Sequence, residues 1–240
     1  MKFAPEGYPF IAGSLIFAGI ALAVFLWVIR HVGSATIISA AFFLLLSSVC
    51  LLFFMAFFFR DPERIIPGGE GIFVAPADGK VIAIRDVSSE SEVGAEATEI
   101  SIFMSPLDVH VNRSPCDGRV AAVRYFPGKY MAAYREDASL QNEHIVMLLE
   151  HESANVLVRQ VAGFIARRAV CRVKQGDILR RGERYGIIKF SSRLDVRLPK
   201  SVHIMVKLGD TTKAGETIIA VEKQQRAAHT VEGNETGSRR

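Results

Sequence analysis

Two nearly matching stretches, Pro76-Ala-Asp-Gly-Lys-Val81 and Pro115-Cys-Asp-Gly-Arg-Val120, decide how the chain folds after its first 60 residues. In each, a Pro-x-Asp-Gly turn leads directly into a strand, because proline and glycine shape tight turns and aspartate bonds to nearby backbone. A second repeat keeps its internal spacing in both copies, Val173-Lys-Gln-Gly-Asp177 with Gly182-Glu183, and Val206-Lys-Leu-Gly-Asp210 with Gly215-Glu216. Repeated turn–strand units predict pseudo-symmetric β-hairpins.

Short runs rich in β-branched residues surround these repeats and predict strands. They are Gly71–Ala75, Lys80–Arg85, Glu99–Met104, Arg119–Tyr125, His144–Leu149 and Val156–Val161. Leu194, Val196 and Leu198 alternate with charged residues, which predicts one more, half-buried strand. Helical patterns are short and cover only residues 130–140 and 164–169. The predicted fold class is therefore α+β and mostly β.

The repeated hairpins resemble the barrel-sandwich hybrid domains that carry biotin or lipoate. Such a likeness concerns the fold and does not establish a function. A carrier of this kind needs an exposed lysine at a hairpin tip, whereas Lys80 enters a strand directly. The carrier function is therefore disfavoured.

Residues 1–59 differ sharply from the rest, since only Lys2, Glu6 and Arg30 are charged. Two uncharged runs, at about residues 8–29 and 33–59, each exceed the roughly 20 residues that cross a bilayer. They predict a membrane anchor of two transmembrane helices that turn at Arg30 and His31. The first run is too long for a signal peptide and lacks a cleavage site. The phenylalanines near the end of the second run are interpreted as facing lipid; they are Phe53, Phe54, Phe57, Phe58 and Phe59.

Basic residues flank the anchor on one side, with Lys2 before it and Arg60 and Arg64 after it. The positive-inside rule then places residues 60–240 on the cytoplasmic side of the cell (inner) membrane. The chain carries a net charge of +4, too small an excess to indicate nucleic-acid binding. Its three cysteines lack paired spacing, which indicates a reducing compartment without disulfides.

Three histidines, His110, His144 and His151, stand near the boundaries of predicted strands. No two of them have the spacing of zinc ligands, so we predict no metal. His151 is interpreted as structural. A serine pair at residues 191–192 precedes the last predicted strand and, on its own, would be read as a turn.

Several blocks of the sequence occur in an order that is typical of one protein family. They are Pro76–Gly79, Ser105-Pro-Leu-Asp-Val-His-Val-Asn-Arg113, Pro127–Lys129 with Asn142-Glu143, Val158–Gly163 and Gly182–Pro199. Together they resemble the phosphatidylserine decarboxylase proenzymes of the short, bacterial and archaeal type. The resemblance covers essentially all of residues 61–199 and agrees with the hydrophobic amino-terminal hairpin.

The resemblance implies that Ser192 becomes a covalent pyruvoyl group. Its hydroxyl attacks the carbonyl of Ser191, and elimination cuts the chain into a β chain of residues 1–191 and an α chain of residues 192–240. The pyruvoyl ketone forms a Schiff base with phosphatidylserine in the membrane and yields phosphatidylethanolamine, without metal or pyridoxal phosphate. The catalytic domain is then residues 60–222, and the polar tail, residues 223–240, is predicted to be disordered. A homo-oligomer is compatible with this picture.

The resemblance also implies a base and an aspartate that orients it, which we assign to His110 and Asp78. Long-type members carry two histidines three residues apart in this motif, and Arg113 occupies the second position here. His144 is therefore the reserve base. The family usually has glycine before the processed serine, where this chain has Ser191; we expect processing to persist. The alternatives are a non-catalytic membrane-tethered adaptor, an unprocessed paralogue, and a pyruvoyl-dependent decarboxylase of another amino-acid ester or of a soluble amino acid.

Overall fold

A computed structural model describes residues 2–87, 96–132, 141–152, 155–163, 168–190 and 192–223. Its helices are α1 (Tyr8–His31) and α2 (Ala35–Phe58), preceded by a short 3-10 turn (Pro5–Gly7). Its strands are β1 (Lys2–Phe3), β2 (Arg60–Asp61), β3 (Ile72–Val74), β4 (Gly79–Val87), β5 (Ala97–Met104), β6 (Val111–Arg113), β7 (Gly118–Phe126), β8 (His144–Glu150), β9 (Asn155–Ala162), β10 (Ala169–Cys171), β11 (Ile178–Leu179), β12 (Arg184–Ile188), β13 (Ser192–Pro199), β14 (Val202–Ile204), β15 (Thr211–Thr212) and β16 (Ile218–Glu222).

Helices α1 and α2 pack against each other as a hairpin, and both are long and apolar enough to cross a membrane. Each has 24 residues, which at 1.5 Å per residue exceeds the roughly 30 Å of a bilayer core. The turn lies slightly later than the sequence predicts, because Arg30 and His31 still belong to the last turn of α1. Short strands β1 and β2 pair on either side of the hairpin and join its two ends.

The soluble part is mostly β, as predicted, and is built on a curled, half-barrel sheet of eight antiparallel strands. Their order is β11-β7-β8-β9-β13-β5-β4-β15. Two three-stranded sheets, β10-β12-β6 and β14-β16-β3, accompany it. All six strands predicted from the β-rich runs form, and β13 lies near the middle of the large sheet, paired along its length with β5 and β9.

The two sequence repeats fold into matching halves, which confirms the predicted pseudo-symmetry. In one half the amide of Gly176 donates a 2.8 Å hydrogen bond to the carbonyl of Val120. In the other half the amide of Gly209 donates an equivalent 2.8 Å hydrogen bond to the carbonyl of Val81. Both glycines adopt a positive φ, of 96° and 91°, which costs other residues free energy.

Strand β13 is buried on both faces, so the predicted half-buried strand is wrong. Its apolar side chains lie in the main core, and its charged side chains are buried in ion pairs. Arg193 Nε lies 2.5 Å from Asp195 Oδ1, and Arg197 Nε lies 2.8 Å from Glu99 Oε2 on β5. Buried charges must be paired in this way, because removing an isolated charge from water is very unfavourable.

Parts of the sequence predictions lie outside the described residues. These are residues 133–140 and 164–167 of the two predicted helices, and residues 224–240 of the predicted tail. The described parts of both predicted helices are not helical: residues 130–132 form no helix, and Ala169 begins β10.

Candidate active site

Ser192, the predicted source of the pyruvoyl group, is the first residue of β13 and is fully buried. Its backbone lies between Met104 on β5 and Ala162 on β9. Its hydroxyl contacts the sulfur of Met104 at 3.4 Å, which is a weak acceptor. The other half of the predicted cleavage site, Ser191, lies outside the described residues.

The chain turns sharply just before the predicted cleavage site. Phe190 has a φ of 60°, and it is the one non-glycine residue with a positive φ among the described residues. Left-handed backbone costs an L-residue roughly 1–2 kcal/mol. The ring of Phe190 stacks on Phe58, at the end of α2, with 4.5 Å between centroids. Packing against a helix therefore stabilises an unfavourable backbone next to Ser192.

His110, the predicted base, precedes β6 and is fully buried. Its Nδ1 lies 3.0 Å from the carbonyl of Asp108, and because a carbonyl only accepts, Nδ1 carries the proton. Nε2 is then the acceptor, and it is buried without a hydrogen-bond partner. Burial lowers the pKa of His110 to about 4, so the ring is neutral near pH 7. A neutral imidazole with a free Nε2 can accept a proton.

Asp78, the predicted orienting residue, is held by other partners. Its carboxylate accepts two hydrogen bonds from Arg64 Nη2, at 2.7 and 3.0 Å, and one from the amide of Ala214 at 2.7 Å. Asp117, its counterpart in the second repeat, accepts a matching bond from a backbone amide, that of Arg181. Both turns thus share a hydrogen bond from a backbone amide to the aspartate, whereas the ion pair with Arg64 is found at Asp78.

The structure does not join the predicted aspartate and base. Within the described residues, no hydrogen bond links Asp78 to His110. Both nevertheless lie close to Asp108: Asp78 repels the Asp108 carboxylate, which adds to the effect of burial in raising its pKa. The arrangement supplies a buried base, with its tautomer set by a backbone carbonyl instead of a carboxylate.

His144, the reserve base, begins β8 and is separated from β13 by strand β9. Its Nδ1 lies 2.7 Å from the carbonyl of Asn142, and its ring stacks on Phe126 with 4.7 Å between centroids. His151, interpreted as structural, has Nδ1 2.7 Å from the carbonyl of Asp117. His144 lies opposite Val161 on β9, which pairs with Arg193, so one strand separates it from Ser192. The loop that carries His110 directly follows β5, which is paired with β13.

Comparison with known proteins identifies the family. A family model described as phosphatidylserine decarboxylase matches residues 51–220. The chain is 46% identical to the phosphatidylserine decarboxylase proenzyme of Geotalea uraniireducens over 219 residues, which are 91% of this chain and 95% of that protein. The chain belongs to the phosphatidylserine decarboxylase family. Proenzymes of the same name from Geobacter metallireducens (46% identity over the same shares) and Ruegeria pomeroyi (48% over 168 residues, 68% of this chain and 77% of that protein) agree.

Two buried amides, Asn112 and Gln160, lie close to Ser192 and were not singled out from the sequence. Asn112 Nδ2 lies 3.8 Å from the same Met104 sulfur that Ser192 contacts. Gln160 Nε2 donates to Asn112 Oδ1 at 2.8 Å, and Gln160 Oε1 is buried without a hydrogen-bond partner. Both residues fall in blocks that resemble the decarboxylase family. Each is also a polar residue within a β-rich run, and this pattern could have marked both as candidate site residues, because a buried polar group needs a hydrogen-bond partner.

The described residues contain no group of three or more His, Cys, Asp or Glu side chains that could hold a metal ion. All three cysteines are free. Cys116 is buried in the core and burial raises its pKa to about 12, so it stays protonated and inert.

Proposed function

We propose that this protein decarboxylates phosphatidylserine to phosphatidylethanolamine, using a pyruvoyl group that it makes from its own Ser192. One observation carries the proposal: a chain of this family places a buried serine at the start of a central strand, two residues after the left-handed backbone of Phe190. Relatives that align with 91% of this chain at 46% identity are named phosphatidylserine decarboxylase proenzymes.

Self-cleavage would begin when Ser192 Oγ attacks the carbonyl carbon of residue 191. An ester forms, the amide bond breaks, and the nitrogen of residue 192 becomes a free amine. Removal of the α-proton of residue 192 then expels the carboxylate of residue 191 and leaves a double bond, which hydrolyses with loss of ammonia to a ketone. The β chain is residues 1–191 and the α chain is residues 192–240. Strain next to a scissile bond favours such a step.

The surrounding residues fit these requirements. His110 Nε2 is neutral, buried and unpartnered, so it is suited to take the serine proton. Asn112 Nδ2, whose partner is the weakly accepting sulfur of Met104, is suited to stabilise negative charge on an oxygen, since fixed donors in a dry site do so strongly. Gln160 holds this amide in place by donating from Nε2 to Asn112 Oδ1. A pyruvoyl group supplies a carbonyl that binds the substrate amine and accepts the electron pair released with carbon dioxide.

We also propose that α1 and α2 span the inner membrane and that the catalytic domain faces the cytoplasm. The support is the length and apolar character of both helices and the position of Lys2, Arg60 and Arg64 on one side. A lipid with two acyl chains does not readily leave the bilayer, so an enzyme acting on it gains from being anchored. The two matching halves of the soluble domain support the finer assignment of a barrel-sandwich hybrid.

Two measurements test the proposal. On a denaturing gel, purified protein should appear as two fragments, and mass spectrometry of the smaller one should give residues 192–240 with a pyruvoyl-blocked end. The protein should release carbon dioxide from phosphatidylserine in vesicles, and Ser192→Ala should abolish both cleavage and turnover. An unbroken chain would support the membrane-tethered adaptor, and equal rates on free serine would exclude the lipid assignment.

A further inference from the structure

The loop of residues 105–110, between β5 and β6, exposes a large apolar side chain at its tip. Leu107 is 65% exposed. The loop itself is well defined: the amide of Asp108 donates to the carbonyl of Ser105 at 2.9 Å, and Asp108 Oδ2 accepts from the amide of Ser105 at 2.7 Å. Leu107 is thus presented to the outside by a closed turn.

Arg60 ties this loop to the end of α2. Its Nη2 donates to the carbonyl of Leu107 at 2.7 Å, and its Nη1 donates to the carbonyl of Phe57 at 2.8 Å. The same guanidinium lies 3.8 Å from the centre of the Phe57 ring. Leu107 and the last turn of α2 are therefore held side by side.

The position of Leu107 relative to the bilayer follows from the proposed function, in which α2 spans the membrane. Phe57 belongs to the last turn of α2 and is 43% exposed, so it lies where the helix leaves the hydrocarbon. Aromatic and basic residues at helix ends commonly mark this boundary. Because Arg60 binds both residues, the exposed Leu107 side chain lies at the same depth.

The other end of the loop reaches the candidate active site. His110 follows Leu107 by three residues, and its ring packs on Phe58, next to Phe57 in α2. Phe58 in turn stacks on Phe190, two residues before Ser192. One short segment therefore places Leu107 beside the end of α2 and His110 against the ring of Phe58.

We propose that Leu107 and Phe57 form a membrane-inserted rim at the entrance through which a bilayer phospholipid reaches residue 192. The occupant of this surface is the phospholipid bilayer itself, since the exposed side chains are apolar and are continuous with a spanning helix. This inference rests on the proposed function and adds to it the route of the substrate.

The test compares Leu107→Asp with a matched control, Leu208→Asp. Leu208 is 68% exposed, and the turn that carries it bonds to Val81 on β4; in the described residues no hydrogen bond or ion pair joins that turn to α1 or α2. Full-length, self-cleaved protein is placed in phosphatidylcholine nanodiscs. It is assayed on long-chain phosphatidylserine within the disc and on monomeric dihexanoyl phosphatidylserine added in solution.

We expect Leu107→Asp to lower the rate on long-chain lipid by about tenfold or more, as expected from removing one buried leucine from lipid, and to leave the dihexanoyl rate within about twofold. Leu208→Asp should change neither rate. Equal losses on both substrates, or no loss on long-chain lipid, would overturn the rim. Wild-type protein that acts on neither substrate would instead refute the proposed function.

A second measurement covers the case in which Leu107→Asp fails to mature. In a variant with Cys50, Cys116 and Cys171 replaced by alanine, a nitroxide is attached to cysteine introduced at residue 107 or at residue 208. At residue 107 the label should be relaxed more by oxygen, which concentrates in lipid, than by a water-soluble nickel chelate. The reverse result, or the same result at residue 208, would also overturn the rim.

Discussion

The ring of Phe58 lies 4.2 Å, centroid to centroid, from the imidazole of His110. This contact joins the end of α2 to the proposed base. Phe58 also stacks on Phe190, so one side chain contacts both the base and the strained turn. The end of the apolar helical hairpin is therefore part of the candidate active site.

Replacing Phe58 by alanine should slow self-cleavage. The change removes the ring that restrains His110 and Phe190, and displacements of about 1 Å at a reactive centre can cost about 100-fold in rate. The measurement is the time course of fragment formation after cell-free synthesis into nanodiscs. Phe53→Ala is the control, because Phe53 is 70% exposed on the same helix. Phe58→Leu should restore part of the rate; equal rates for the two alanine variants would contradict the positioning role.

Gln160→Leu should reduce the rate of maturation, by about tenfold or more if its amide network stabilises developing charge. The substitution keeps the side-chain size but removes the donor to Asn112. Gln141→Leu, at an exposed position, serves as the control. Circular dichroism should confirm that both variants fold. A folded Gln160→Leu protein that matures at the normal rate would leave the amide pair without a role in cleavage.

The rate of self-cleavage should stay level as the pH falls from about 8 to about 6. Burial lowers the pKa of His110 to about 4, so its neutral, proton-accepting form persists through this range. The rate should fall only as the pH approaches that pKa. The free energy of unfolding should also fall at low pH. Above the ordinary pKa of about 6.5 the ring of His110 is neutral in both the folded and the unfolded protein. Below that pH only the unfolded protein binds a proton at this ring, so the folded protein loses stability as the pH falls toward about 4. A rate that halves near pH 6.5 would point to an exposed histidine instead.

The two chains should remain together after cleavage. Strand β13 begins at Ser192 and pairs with β5 and β9, which both belong to the other fragment. Strand β16, also in the α chain, pairs with β3. Size-exclusion chromatography in mild detergent should therefore give one peak that contains both fragments, separated only on a denaturing gel. Release of the small fragment under native conditions would show that the pairing is lost on maturation.

Much of the fold could be predicted because it depends on local patterns. The Pro-x-Asp-Gly turns, the β-rich runs and the uncharged segments each contain their own signal. The burial of β13 could not be predicted in the same way, since an alternation of Leu194 with Arg193 and Asp195 looks the same for a solvated face and for a paired, buried one. Burial of β13 depends on partners such as Glu99, which pairs with Arg197 and is distant from it in sequence.

The site was harder to predict than the fold. The phenylalanines at the end of α2 were interpreted as facing lipid, and this is wrong for Phe58 and Phe59, which are fully buried by protein. Their apolar character suits either environment, so composition does not distinguish them. Asp78 likewise gives no sign in the sequence that Arg64 is its partner, because an ion pair depends on the tertiary fold. The assignments of His110, Asp78 and Ser192 stay predictions.

Cleavage before residue 192 would affect the two copies of the sequence repeat differently. The bond between Val120 and Gly176 lies wholly within the large fragment, whereas its twin between Val81 and Gly209 crosses from one fragment to the other. Cleavage before residue 192 would therefore turn one of two equivalent hydrogen bonds into a contact between two chains and leave the other within a single chain. The repeated turn–strand unit thus supplies a contact that would help to hold the two chains together once the backbone between them is cut.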